Sequence, residues 1–328
     1  MAKEELIRRS KGRVHFLPSH RTDECRFLLE GDLSTVMQLK LSQTIHAALP
    51  LHVRGPGSFM TPVYFKNCLA LIRYAINISG EDRWSGIRFD AAGSDSSTFQ
   101  ELGARLHESL GIPYRPDSGD LVITVRPRER GWEFMCRIGS RPLSARPWRQ
   151  ANFRGALNAT LASAIVELSN PDRKDTFCNL MCGSGTILIE RLLRRGASRV
   201  VGVDISRNIL KGARANAKAA GIDSRVNLIR GTVEGLPLAD SQFNVVCADL
   251  PWGEGVGDRE NNEQLYDHFF REAHRIARPG ARLIVLTLDT QTMKKIEPRI
   301  ADLFKLTESR KFVQRGYEPV CTSYTSLK

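Results

Sequence analysis

The stretch that decides the fold reads Thr176-Phe177-Cys178-Asn179-Leu180-Met181-Cys182-Gly183-Ser184-Gly185-Thr186, followed after one helix length by Arg199-Val200-Val201-Gly202-Val203-Asp204. Residues 176–181 are a short apolar run of strand length, and 184–195 place apolar residues at a helical period. Between them Gly183 and Gly185 permit a tight turn with close backbone approach. The helix beginning near Thr186 then aims its free N–H groups and positive end at whatever occupies that turn. The next strand ends in Asp204, 19 residues past Gly185, where a dinucleotide-type fold places a carboxylate that grips ribose hydroxyls. A strand, a glycine turn, a helix and an acid-tipped strand together predict a small-ligand site in a β-α-β unit.

Outward from this unit the rhythm continues. Ser206 can cap a helix over 206–220 that Gly221 stops, and strands are expected at 226–229 and 243–248. A helix over 261–277, ended by Pro279-Gly280, then leads into an apolar strand over 282–288. Strands separated by single helices imply a mostly parallel, Rossmann-like doubly wound α/β sheet with ligands beyond the carboxyl ends of its strands. The first half lacks this alternation. It mixes strands at 24–29, 120–126 and 131–138 with helices at 33–48, 66–76 and 97–110, an α+β pattern. Residues 140–149, polar and broken by Pro142 and Pro147, read as a connector, and an apolar-periodic helix begins at 156–168.

A chain of 328 residues has room for at least two domains. The start has no apolar leader segment and no window supplies the ~18 apolar residues of a membrane helix, so a cytoplasmic protein without a membrane role is expected. The seven cysteines (25, 68, 136, 178, 182, 247, 321) form no Cys-x-x-Cys pair, so neither a disulfide framework nor a zinc site is suggested. The seven histidines form no ligand-spaced set, and no metal is expected. The net charge of +12 is shared evenly, with 22 Lys+Arg against 16 Asp+Glu in 1–150 and 26 against 20 in 151–328. Residues 126–154 concentrate eight arginines against Glu129 and Glu133, interleaved with Trp132 and Trp148. Such a run can be a solvated face. Arginine forks also suit phosphates and stack on bases, which favours contact with nucleic acid.

The second motif, Asp249-Leu250-Pro251-Trp252-Gly253, follows strand 243–248 and so reaches the same sheet edge as the first loop. Alone, Asp-x-Pro at a strand end fits a structural turn equally well. Paired with the loop, it reads as chemistry. An exocyclic amino group on a purine is a poor nucleophile, because its lone pair is delocalised into the ring. Two acceptors, the Asp249 carboxylate and the Leu250 carbonyl, can take its protons and aim the lone pair at a methyl donor, while Trp252 stacks on the base. An NAD site is the alternative for the loop, but Leu188 stands where the third glycine of that fingerprint belongs, and an adenosyl cofactor is favoured. Cys247, two residues before Asp249, lacks the context of a covalent nucleophile and reads as a buried side chain, as do Cys178 and Cys182.

Residues 179–186 resemble the Asp-Pro-Met-Cys-Gly-Ser-Gly-Thr loop of RNA methylases that carry a THUMP domain, especially the tRNA guanine-N2 methyltransferases. The tetrapeptide Asp249-Leu250-Pro251-Trp252 resembles the (Asn/Asp)-Pro-Pro-aromatic signature of amino-methyltransferases. The likeness is specific over 181–186 and departs at Asn179 and Leu180, where the family has Asp and Pro, and at Gly231-Thr232-Val233, where it has an Asp for the adenine amino group. Asn179 accepts a hydrogen bond but brings no charge to an ammonium.

The resemblance implies a class I methyltransferase sheet over 156–328, joined by a linker at 146–155 to a THUMP-like RNA-binding domain at 61–145 and a ferredoxin-like segment at 1–60. It implies S-adenosylmethionine held by Asn179, Cys182, Gly183, Ser184, Gly185, Thr186, Asp204, Ile205, Thr232 and Val233, with Asp249, Leu250, Pro251 and Trp252 at the reacting amine. The expected activity is guanine-N2 methylation of tRNA in the acceptor-stem region by a monomer. Guanine-N2 methylation of ribosomal RNA, N6-adenine methylation of DNA, and a non-catalytic RNA-binding relative stay open as alternatives.

Overall fold

The computed structural model describes residues 1–11, 13–153, 155–252, 259–313 and 316–328; Arg154 and Gly253 of the sequence motifs lie outside them. The chain divides into two compact units, Met1–Ala145 and Arg146–Lys328.

The first unit runs α1 (Ala2–Ser10), β1 (Val14–Leu17), β2 (Arg26–Leu29), β3 (His46–Leu51), α2 (Pro62–Ser79), β4 (Ile87–Asp90), α3 (Ser97–Leu110), β5 (Leu121–Arg128) and β6 (Gly131–Arg137). β1 and β2 pair as an antiparallel ribbon. The other four strands form a sheet of order β3-β6-β5-β4, parallel only between β4 and β5. Its core includes Phe59, Ile72, Phe99, Leu102, Ile123 and Phe134.

Two sequence expectations change here. The helix expected over 33–48 is a 3-10 turn at Leu33–Gln38 followed by β3. The backbone amides of Lys40 and Leu41, which a helix would need, donate instead to the buried carboxylate of Glu5 at 3.0 and 2.8 Å. Pro50 is accommodated because β3 is an edge strand. The domain break expected at 60/61 also falls inside a sheet, since β3 on one side of it pairs with β6 on the other.

The arginine run is largely engaged inside the fold. Arg126, together with Arg26, holds the fully buried carboxylate of Glu133, and Arg137 donates to backbone carbonyls of Gly139 and Asp120. Of the described members, Arg128, Arg130 and Arg141 are exposed.

The second unit runs α4 (Ala159–Leu168), β7 (Thr176–Leu180), α5 (Thr186–Arg194), β8 (Arg199–Asp204), α6 (Arg207–Ala219), β9 (Asn227–Arg230), β10 (Phe243–Asp249), α7 (Arg259–Ile276), β11 (Ala277–Thr287), α8 (Thr290–Ile296), β12 (Phe304–Lys311) and β13 (Val320–Ser326). Its seven-stranded sheet has the order β12-β13-β11-β10-β7-β8-β9, parallel from β11 to β9, with β13 antiparallel to both neighbours. Alternating strand residues feed two cores, as the pleat requires. Cys178 and Leu180 pack with Tyr266, Phe269 and Phe270 of α7, whereas Phe177 packs with residues of α4 and α5 such as Ile165 and Leu188. This is a Rossmann-like sheet covered on both faces. Its order reverses between β7 and β10, the switch point outside which such folds bind ligands.

Pro279-Gly280 do not end a helix as expected. α7 gives way directly to β11, and the pair lies within that strand, where the pairing with β10 jumps from Phe243↔Ala277 to Val245↔Arg282. A bulge takes up the residues that cannot join the ladder.

The expected linker at 146–155 is no loose connector. Arg146 is 5% exposed, with Nε donating to Glu190 at 2.8 Å, and Trp148 sits in the core of the second unit. Asn216 of α6 accepts from the amides of Gln150 and Ala151 at 2.9 and 2.8 Å, which straps this segment onto the sheet.

Candidate functional site

The two motifs meet at the switch point. β7 and β10 are neighbours in register, with Ala248 opposite Leu180, so Asp249 and Met181 follow at the same sheet edge. Leu180 also faces Val203 of β8, which brings Asp204 to that edge.

The glycine loop is shaped by its acids and its missing side chains. Asp204 accepts from the amide of Gly183 and from that of Ser206, both at 2.9 Å, so its carboxylate holds the loop and the start of α6 together. Each carboxylate oxygen keeps a further lone pair. Gly185 caps α5 at φ +79, and Gly183 has φ +54 with a hypothetical Cβ only 3.0 Å from the Phe153 ring. Neither position accepts a larger residue without strain. Cys182 is buried, and desolvation pushes its thiol well above the ordinary range, which rules it out as a thiolate. Ile205 is 65% exposed beside Asp204. Thr232 lies in a short turn closed by the Gly235 amide, and the side chain of Val233 belongs to the core, leaving only its backbone for a ligand.

Two buried polar atoms in this region lack partners among the described residues. Asn179, 1% exposed, donates to the carbonyls of Leu180 and Cys247, each at 3.1 Å, but its Oδ1 accepts nothing. Ser184, 4% exposed, has an unpartnered Oγ. Buried polar atoms normally find partners, so these two mark a place for a polar ligand.

The tetrapeptide is held more tightly than its sequence suggests. Asp249 accepts from the indole Nε1 of Trp252 at 3.0 Å, which fixes the ring beside the carboxylate. Burial pushes the Asp249 carboxyl up to about 7, against the lowering effect of that hydrogen bond. The Leu250 amide donates to Leu286 at 2.9 Å. The Leu250 carbonyl accepts no hydrogen bond among the described residues.

The Pro251 carbonyl, by contrast, accepts from the Tyr266 hydroxyl at 2.6 Å and from Asn262 Nδ2 at 3.4 Å. Having given its proton to Pro251, Tyr266 accepts from Thr287 at 2.7 Å, and Asn262 also donates to Asp289 at 3.1 Å. These four side chains behind the tetrapeptide were missed in the sequence. Asn262 and Tyr266 share one face of α7 at i, i+4, but no motif marks them. On the open side, Tyr317 lies 6.1 Å from Trp252, tilted by 54°.

Among the described residues no group of His, Cys, Asp and Glu could hold a metal, and no helix is long and apolar enough to cross a membrane.

Known proteins share this sequence and architecture. Over 223 residues the chain is 30% identical to the "tRNA (guanine(6)-N2)-methyltransferase" of Thermus thermophilus, covering 67% of this chain and 64% of that protein. The protein of the same description from Methanocaldococcus jannaschii is 28% identical over 193 residues, 48% of this chain and 51% of that one. The chain thus matches between half and two thirds of the length of these relatives. Among solved structures, TrmN from Thermus thermophilus superposes with a TM-score of 0.71 at 22% identity, over 99% of this chain and 96% of that one, which shows the class I methyltransferase fold. Residues 146–311, half of the chain, match the family model described as "RMKL-like, methyltransferase domain", and the chain belongs to that family.

Proposed function

We propose that this chain transfers a methyl group from S-adenosylmethionine to the exocyclic N2 of a guanosine in tRNA, in the acceptor-stem region. The observation that carries the reading is the pair of acceptors at the end of β10, the Asp249 carboxylate and the Leu250 carbonyl, which accepts nothing among the described residues, beside the aromatic face of Trp252 and next to the glycine loop. The names of the relatives above support guanine-N2 and tRNA.

The residues present fit the cofactor. Asn179 Oδ1 and Ser184 Oγ are free to bond its amino-acid end, Asp204 retains lone pairs for ribose hydroxyls, and Ile205 offers an apolar surface to adenine. Cys182, Gly183, Gly185 and Thr186 shape the loop, and Thr232 and the Val233 backbone border it. When bound, the cofactor supplies an electrophilic methyl on a sulfonium. The chain supplies position. Asp249 and the Leu250 carbonyl would accept hydrogen bonds from the two amine N–H groups while Trp252 stacks on the base; as the N–C bond forms, the methyl–sulfonium bond breaks to leave a neutral thioether, and one amine proton leaves along the hydrogen bond to the Asp249 carboxylate. Tyr266 and Asn262 hold the Pro251 carbonyl, so the backbone of the tetrapeptide is set before substrate arrives. The α+β unit at 1–145 serves as the RNA-gripping region, and the protein acts as a cytoplasmic monomer.

Three predictions test this site. First, the pH dependence follows from Asp249. Its carboxyl, raised to about 7, is protonated below that pH and then offers a donor where an acceptor is needed. kcat/KM should therefore rise with pH through an inflection near 7 and level off above it. In Trp252→Phe the hydrogen bond that holds the carboxyl down is gone, and the inflection should move to higher pH. An unmoved inflection would remove Asp249 from the titrating step.

Second, Trp252→Ala should raise KM for RNA by roughly tenfold or more, the scale of one lost base–aromatic stack, with cofactor affinity unchanged in calorimetry. Third, Tyr266→Phe keeps the ring in the core and removes only the hydroxyl. It should lower kcat by about fivefold, the equivalent of roughly 1 kcal/mol, and lower the melting temperature by only a few degrees, because the lost hydroxyl also bonds Thr287. Loss of stability without loss of kcat would make Tyr266 a packing residue alone.

A further inference from the structure

Arg149 lies in the strap that precedes α4, and its surroundings do not suit a cation left to itself. One terminal nitrogen donates to the Leu157 carbonyl at 2.8 Å and to Thr186 Oγ1 at 3.0 Å, the other reaches Asn152 Oδ1 at 3.5 Å, and the guanidinium lies 5.5 Å from the Trp148 ring centroid, while Nε is buried without a partner among the described residues. Thr186 opens the nine-residue helix α5, so the guanidinium stands at the positive end of that helix, where an acidic group is the usual neighbour. No carboxylate lies within ion-pair distance of it among the described residues, because the nearby Glu190 is engaged by Arg146 and Ser163. Burial opposes the charge; Glu190 offsets part of that cost from beyond ion-pair distance, and Arg146 works against it. A desolvated cation at a positive helix end is unfavourable unless an anion joins it.

The glycine loop on which the strap rests is the one with unpartnered polar atoms, Asn179 Oδ1 and Ser184 Oγ. Resting on the cofactor reading above, we propose that Arg149 is the counter-ion for the carboxylate at the amino-acid end of S-adenosylmethionine. That carboxylate is the cofactor's one anionic group. Asn179 is neutral and can only accept from the ammonium, so in this chain charge recognition of the amino-acid end falls to Arg149 rather than to residue 179.

The test is calorimetric titration of the full chain, without RNA, by S-adenosylmethionine and by its decarboxylated analogue, which keeps the ammonium and lacks the carboxylate. The wild-type protein should prefer S-adenosylmethionine. In Arg149→Gln its affinity should fall by roughly tenfold to a hundredfold, the range of a charge-assisted hydrogen bond, while affinity for the analogue stays put; Arg149→Lys should recover part of the difference. Unchanged binding of the analogue doubles as the check that the pocket is folded. If both affinities fall alike, or neither changes, the assignment is overturned; weaker RNA binding with unchanged cofactor discrimination would likewise overturn it, by making Arg149 a phosphate contact. A wild-type protein that binds neither ligand would overturn the cofactor reading itself.

Discussion

Asp249→Ala is expected to lower kcat for methyl transfer by a factor on the order of 10² to 10³, with S-adenosylmethionine binding unchanged. The magnitude is that of removing one preorganised hydrogen-bonding group from a reacting centre. The sign follows from geometry. The carboxylate is fixed by Trp252 Nε1 at 3.0 Å beside the Leu250 carbonyl, which accepts nothing among the described residues, so on the proposed reading its loss would leave the amine with one acceptor and a planar, unreactive nitrogen. Asp249→Asn should retain part of the activity, since the amide oxygen still accepts, and its rate should no longer follow the inflection near pH 7. Steady-state rates together with calorimetry separate this from a failure to bind cofactor. A fully active alanine variant would exclude Asp249 from the chemistry.

The second large effect concerns stability. Asp175 is 1% exposed and accepts from four groups at once: Arg191 at 2.7 Å, Arg282 at 2.6 Å, Asn244 at 2.9 Å and the Asp172 amide at 2.8 Å. Arg191 is itself fully buried, under the end of the sheet where β7 begins. Asp175→Ala leaves that guanidinium without its carboxylate, and breaking a buried pair in this way costs about 3–5 kcal/mol. For a unit the size of 146–328 this corresponds to a fall in melting temperature of roughly 10 °C, measurable by scanning calorimetry. The double change Asp175→Leu with Arg191→Met, which removes both charges, should be markedly milder. Equal losses in the two variants would show that shape rather than charge is at stake.

Much of the second unit was legible because its local signals agree. Ser206 caps α6 through the Ile209 amide, and the strand over 199–204 is the strand seen. α3 in the first unit, Ser97–Leu110, was equally plain. The helix expected over 33–48 failed because a distant carboxylate, Glu5, captures the amides at 40 and 41, a contact that no local window contains. The strands Val14–Leu17 and Ile87–Asp90 went unseen, although Arg26–Leu29 and Asn227–Arg230, equally short, were read.

At the site, the two motifs were readable as motifs, and the structure brings the glycine loop, Asp204 and Asp249 to one sheet edge. Tyr266, Asn262, Thr287 and Asp289 stand behind the tetrapeptide and are brought there by three separate elements, so only the fold reveals them. The arginine run misled in part. Charge density in sequence says nothing of partners, and Glu133 and Glu190 take up Arg126 and Arg146.

The central claim is most directly tested by incubating the protein with tRNA transcript and S-adenosylmethionine labelled in the methyl group, digesting the RNA to nucleosides and identifying the labelled product by mass spectrometry. N2-methylguanosine is the predicted product, lost in Asp249→Ala. Label in adenosine, or no label from a protein that binds the cofactor, would contradict it.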